Sequence, residues 1–200
     1  MRQLLVAGVG VLAIAGLTAC GSESSGENTA GGVVDAHYKP PTVANGCDLL
    51  DLTALDPWEA TAGKREHTKD ENILGTVLTC DAENKGADRL AAFQLETTVH
   101  KNRGEARSGY ERGRRFAKNA SDVTSSGAVA GLGSEAFFVW TKHDYSATAA
   151  LNTASTYQIL VLDGSLQVSL FFGVAAPVTE AEAAGVAQQQ AQRVLTKLKG

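Results

Sequence analysis

Residues 156–172 read TYQILVLDGSLQVSLFF, and the fold turns on this stretch. Leu166, Val168, Leu170 and Phe172 recur at a period of two, the pattern of a strand with one buried face. The preceding run, 156–162, is equally strand-like, and Asp163-Gly164 between them is a strong hairpin signal. Downstream, Thr179 and Glu182 are spaced as a capping box. Ala183, Ala187, Ala191, Val194, Leu195 and Leu198 then share one side of a closing helix. Upstream, Ala136 to Trp140 reads as an aromatic-rich strand buried on both faces, fed by Gly131-Leu132-Gly133. A helix is predicted over 103–119, with Ala106, Tyr110, Gly113, Phe116 and Ala117 on its apolar side. Phe93, Leu95, Thr97 and Val99 alternate with polar residues, and a further strand is predicted over 76–82. Cys47 to Leu55 is predicted as a short helix stopped by Pro57. The order helix, strands, helix, strands, helix predicts an α+β domain, an antiparallel sheet covered by helices.

The N-terminus has a different character. Arg2 precedes an apolar run from Leu4 to Leu17, which ends in Leu17-Thr18-Ala19-Cys20. The run is shorter than the about 20 apolar residues of a transmembrane helix and has the layout of a signal peptide. Its end resembles the lipobox of bacterial lipoproteins, which implies cleavage after residue 19, lipidation of Cys20 and an extracytoplasmic, membrane-anchored protein. The alternatives are an ordinary secretory signal or an uncleaved anchor helix. From Gly21 to about Asn45 the chain is Gly, Ser, Glu, Asn, Thr and Pro with few apolar residues, the composition of a flexible tether. The expected organisation is therefore signal peptide 1–19, lipidated cysteine and tether 20–45, and a single globular domain 46–200. With Cys20 lipidated, Cys47 and Cys80 remain, an even pair that in an exported domain reads as a disulfide. The alternative is two buried thiols.

Cys47-Asp48-Leu49-Leu50, Cys80, the stretch Val129-Ala130-Gly131-Leu132-Gly133-Ser134-Glu135-Ala136, the late hairpin and the C-terminal helix together resemble a family of actinobacterial lipoproteins built on an uncharacterised exported domain. The resemblance covers most of residues 46–199. It implies a layout similar to the extracellular sensor domains of some actinobacterial kinases and to PsbP-like and Mog1-like sandwiches. It implies no particular activity.

A search for chemistry narrows the classes. His37, His67, His100 and His143 lie about thirty or more residues apart, none in a two-histidine motif, so no metal site is expected and solvent-facing histidines are the reading. Ser134 lacks the second flanking glycine of a nucleophile elbow, and Cys47 and Cys80 are committed to each other once bridged. The acid pairs Asp48 with Asp51 and Asp81 with Glu83 read as surface carboxylates. No cofactor is implied. One feature is sharp: residues 101–118 carry seven basic groups against Glu105 and Glu111, in a chain whose net charge is −4. Arg103, Arg107, Arg114 and Lys118 share a narrow helical stripe, a candidate contact for anionic lipid headgroups or acidic wall polymers. The competing reading is a solvated helix face in which Glu111 pairs with Arg107 and Arg115. Nucleic acid is disfavoured, because no aromatic residues interleave with the exposed bases. The sequence reading is thus a non-enzymatic binding, sensory or interaction module. Its partner would be an envelope protein, a wall polymer or a small ligand, and the alternatives are a lipid or glycolipid carrier and a cell-envelope hydrolase.

Overall fold

The computed structural model describes Tyr38, residues 41–144 and residues 153–199. The expected signal peptide, Cys20, His37 and most of the expected tether lie outside the described residues. Seven strands, β1 (Ala62–Glu71), β2 (Gly75–Lys85), β3 (Leu90–His100), β4 (Val123–Ala128), β5 (Glu135–Asp144), β6 (Thr153–Asp163) and β7 (Leu166–Val174), form one sheet with two helices, α1 (Arg103–Lys118) and α2 (Glu180–Leu198). Every pairing is antiparallel, in the order β1-β2-β3-β7-β6-β5-β4. The α+β class read from the sequence is the class observed.

Two cores follow from the pleat. On one face, Leu166, Val168, Leu170 and Phe172 of β7 meet the buried side of α2, where Ala183, Ala187, Ala191, Val194, Leu195 and Leu198 all sit as the helical spacing predicts. Phe93 and Trp58 close on Phe172, with ring centroids 5.4 and 5.0 Å away. On the other face, Ala106, Tyr110 and Ala117 of α1 cover Phe137, Val139, Leu160 and Leu162. Strand β5 feeds both: Ala136 and Trp140 enter the first core, Phe137 and Val139 the second.

The capping box is present, with the Thr179 side chain accepting from the Glu182 amide and the Glu182 carboxylate accepting from Thr179. The Cys47–Cys80 disulfide is present as well, with Cα atoms 4.9 Å apart. It pins the segment ahead of β1 to the middle of β2. Tyr38 belongs to the first core, and its hydroxyl donates to Asp163 at 2.6 Å, an oxygen that Lys199 also reaches at 3.0 Å. Burial and the neighbouring carboxylate raise the Tyr38 phenol far above its ordinary range.

Four expectations need correction. The helix predicted from Cys47 to Leu55 is two separate 3-10 turns, Gly46–Leu49 and Leu52–Leu55. Asn45 and Asp51 each cap a turn with a side-chain oxygen, and the Asp51 amide donates to Gln190 instead of continuing a helix. The hairpin turn falls one residue later than Asp163-Gly164: Asp163 pairs with Leu166, so Gly164-Ser165 is the loop, with Gly164 at φ +61°. Phe116, assigned to the apolar side of α1, is 84% exposed. His100, read as solvent-facing, is 92% buried beneath α1. Strands β1 and β4 were not expected at all.

Candidate functional site: the groove between helix α1 and the sheet

Helix α1 covers only part of its face. Ala106, Tyr110 and Ala117 seat it on β5 and β6, and Gly109 comes close to His100 and Gln167 at one end of β3 and β7, while Asp81, Gln94 and Glu96 further along β2 and β3 stay exposed. Strand register sets the floor of the opening. Asp81 lies opposite Gln94, Gln94 opposite Phe171, Phe171 opposite Gln158 and Gln158 opposite Val139, one row across five strands. The neighbouring row runs Ala92, Gly173, Thr156 and Thr141, and the row on the other side runs Thr79, Glu96, Ser169 and Leu160.

These rows form the floor of two adjoining hollows of about 380 Å³ each. The first is mainly apolar, between Ala92, Gly173 and Val139 below and Phe116, Ala117 and Ala120 above. The second is polar, with Asp81, Glu96, Gln167 and Ser169 among its lining. Gln94, Gln158, Phe171 and Phe116 border both, so the hollows are two ends of one groove. A further opening beside the second carries Glu96, His100 and Arg112.

Two glycines on opposite walls keep the groove open. Gly173 sits inside central strand β7, where a methyl group would lie 3.8 Å from the Thr156 hydroxyl as its nearest neighbour. Gly113 sits inside α1, where a methyl group would meet Leu160 at 3.7 Å. Glycine inside a helix or strand costs about 0.5–1 kcal/mol relative to alanine. Neither position is too crowded for a side chain, so crowding does not explain the glycines; the space they leave is the groove. Glycine inside an otherwise regular element is the signal by which sequence reasoning could have found both.

Chemically the groove joins an apolar end to a polar one, and the carboxylates of Asp81 and Glu96 border the polar end. The amides of Gln94 and Gln158 and the hydroxyl of Ser169 make no hydrogen bond to another described residue. Gln167 is engaged, its Oε1 lying 3.2 Å from Nε2 of His100. His100 Nδ1 is buried with no hydrogen-bond partner among the described residues. Tyr110 of α1 is buried against the sheet, where burial raises its phenol above the ordinary value and Arg114 partly opposes the shift.

Of the residues singled out in the sequence, Asp81 lines the groove and His100 its adjoining opening, whereas the four basic residues of the helical stripe lie elsewhere. Arg107 binds Glu135 at 2.6 Å and approaches Glu111 at 3.8 Å; the hydrogen bond to Glu135 raises its already high pKa. Arg114 lies over the Phe137 ring, 4.9 Å from its centroid, a cation–π contact that holds it against the protein. Arg103 is half-buried at the first turn of α1 and Lys118 is exposed at its last. Among the described residues, no group of three or more His, Cys, Asp or Glu is placed to hold a metal ion, and no helix is long and apolar enough to cross a membrane.

No family model matches the chain, and no curated protein matches it significantly. Among solved structures, the chain is similar to the extracellular domain of PknH from Mycobacterium tuberculosis. The identity is 11% and the TM-score 0.44, over 80% of this chain and 99% of that one. It also aligns with Ara h 8.0201 at 13% identity and a TM-score of 0.20, over 82% of this chain and 91% of that one. At this level of similarity neither neighbour bears on activity, and the site stands on its own geometry.

Proposed function

We propose that the chain is a lipid-anchored extracytoplasmic protein whose folded domain is a non-enzymatic binding module, with the groove between α1 and the sheet as its ligand site. The observation that carries this reading is the pair Gly113 and Gly173, two glycines in element interiors with room for a side chain, facing one groove. Phe116, left almost fully exposed at the groove mouth, supports it, because a large apolar side chain there gains burial when a ligand arrives. The anchor and the compartment are supported by the sequence Leu17-Thr18-Ala19-Cys20 and by a disulfide of the kind oxidising compartments favour.

The carrier alternative needs a cavity that encloses its cargo, whereas the apolar hollow here opens to solvent and is about 380 Å³. The hydrolase alternative needs a base beside a nucleophile. Among the described residues the one buried histidine, His100, meets the side chain of Gln167.

The test uses the chain from Gly21 onward, without lipid, and the neutral dye N-phenyl-1-naphthylamine. Dye fluorescence is expected to rise saturably with the wild type. Gly173→Phe and Gly113→Leu, each filling the groove from one wall, are expected to lower dye affinity at least about tenfold, a loss of about 1.4 kcal/mol. Thermal melts identify either variant if it fails to fold. Equal dye binding by wild type and a folded groove-filled variant would refute the assignment of the site.

A further inference from the structure

The cross-strand rows allow the ligand class to be narrowed, on the footing of the groove assignment above. Phe171 is the only aromatic residue in its row, and the positions directly opposite it on both sides are carboxamides, Gln94 and Gln158. Directly opposed residues of an antiparallel pair have Cβ atoms about 4.5–5.5 Å apart, so each glutamine stands about that far to one side of Phe171 and the two are about 10 Å apart, room for a six-membered ring with its hydroxyls between them. Phe116 borders the same place from above. An aromatic floor edged by amides, with the Ser169 hydroxyl and the Asp81 and Glu96 carboxylates further along, offers one apolar face and a rim of acceptors and donors. That combination matches a ring with C–H groups on its face and hydroxyls around its edge.

Charge selects further. Asp81 and Glu96 both border the polar hollow, so an anionic head would face two carboxylates. Arg112 stands with Glu96 at the adjoining opening, which offsets the attraction for a cation. At the other end, Ala92, Gly173, Val139, Ala117 and Ala120 provide an apolar extension continuous with the ring position. We propose that the groove takes an uncharged sugar ring, seated on Phe171 between Gln94 and Gln158, with an apolar arm lying toward Ala92 and Gly173. Such a ring is found both in a free glycan and in the head of a glycolipid.

The experiment displaces N-phenyl-1-naphthylamine from the chain from Gly21 onward, which keeps every described residue. The displacers, all below their micelle concentrations, are n-octyl β-D-glucopyranoside, octyl sulfate, octyltrimethylammonium and methyl β-D-glucopyranoside. Octyl glucoside is expected to displace the dye at least about tenfold more effectively than either charged octyl compound. Gln94→Ala and Gln158→Ala are each expected to weaken octyl glucoside by about three- to tenfold, the usual size for one neutral hydrogen bond, and to leave octyl sulfate unchanged. Displacement by methyl glucoside within tenfold of octyl glucoside points to a free glycan; displacement by octyl glucoside alone points to a glycolipid head. If the three octyl compounds compete equally and the glutamine variants change nothing, the groove takes tails without reading heads. The sugar proposal then falls while the groove assignment stands. If the dye binds but Gly173→Phe leaves it bound, the groove assignment falls first and takes this proposal with it.

Discussion

Gly46 occupies a place where no side chain fits. A methyl group there would lie 2.2 Å from the Thr79 carbonyl oxygen of β2. This close approach lets the next residue, Cys47, come within bonding distance of Cys80, the next residue of β2 after Thr79. Gly46→Ala is therefore expected to destabilise the domain by about 1–3 kcal/mol, the range for overpacking, measured as a shift of the denaturant midpoint at constant slope. Replacing both cysteines by serine removes a link across a sequence separation of 33. It is expected to lower stability by about 2–4 kcal/mol. If Gly46→Ala were neutral, the tight seating of the first 3-10 turn would be wrong. At this scale the cysteines were legible because a count and a compartment suffice to pair them. Phe116 was not. Its position on the helical wheel lies near the apolar arc, yet the arc that contacts the sheet is centred on Ala106, Tyr110 and Ala117. How far a helix rolls on its sheet is fixed by the partner surface, which no local spacing records.

The elements read most clearly were those with one buried face and a signalled end, β7 and α2 above all. Thr179→Ala is expected to cost about 1 kcal/mol through loss of the α2 cap, read in a thermal or denaturant melt. The Thr179 hydroxyl and amide both donate to Glu182, and these hydrogen bonds hold its carboxyl below the ordinary glutamate value. A carboxyl depressed in the folded state stabilises above its unfolded pKa and loses that contribution as the pH falls through the folded one. The wild type is thus expected to lose stability more steeply than Glu182→Gln on acidification from about pH 5 to pH 3, and parallel curves would dismiss the linkage. Asp51, depressed chiefly by the Thr53 hydroxyl, acts in the same direction in both proteins. Strands β1 and β4 escaped the sequence reading because they are the two edges of the sheet. Almost all of β1, AGKREHTKDE, is exposed, so it carries no apolar alternation, and its charges suit an edge that must not recruit other strands. Helix α1 bears a proposal of its own, that Arg103, Arg107, Arg114 and Lys118 meet an anionic envelope surface. Vesicles containing phosphatidylglycerol are expected to bind the lipid-free wild type at low salt and to lose it near 1 M salt, where the screening length is about 3 Å. Reversal of all four residues to glutamate is expected to abolish binding, and equal binding by both proteins would leave the stripe a solvated face.

At the scale of the whole molecule, the class of fold was legible and the groove was not. Asp81, Gln94, Phe171, Gln158 and Val139 are scattered over residues 81–171 and become neighbours only through four pairing registers. No motif joins them in the sequence, because each of the four pairings that align them is a long-range property. The same connectivity divides the chain in two. Strands β1, β2 and β3 pair in sequence order, β4 to β7 pair in sequence order, and the two meanders meet along β3 and β7. As the polypeptide emerges from its N-terminus, β3 is complete well before residues 166–174 arrive to pair with it, and α1 before β5 and β6 arrive to cover its apolar side. Until then the newly made first half presents an unfilled strand-docking edge, and a late hairpin from another copy has the sequence to fill it. Exchange of the β6–β7 hairpin between two molecules is therefore the misassembly to which this topology is most exposed, and slow emergence or a high local concentration of copies would favour it.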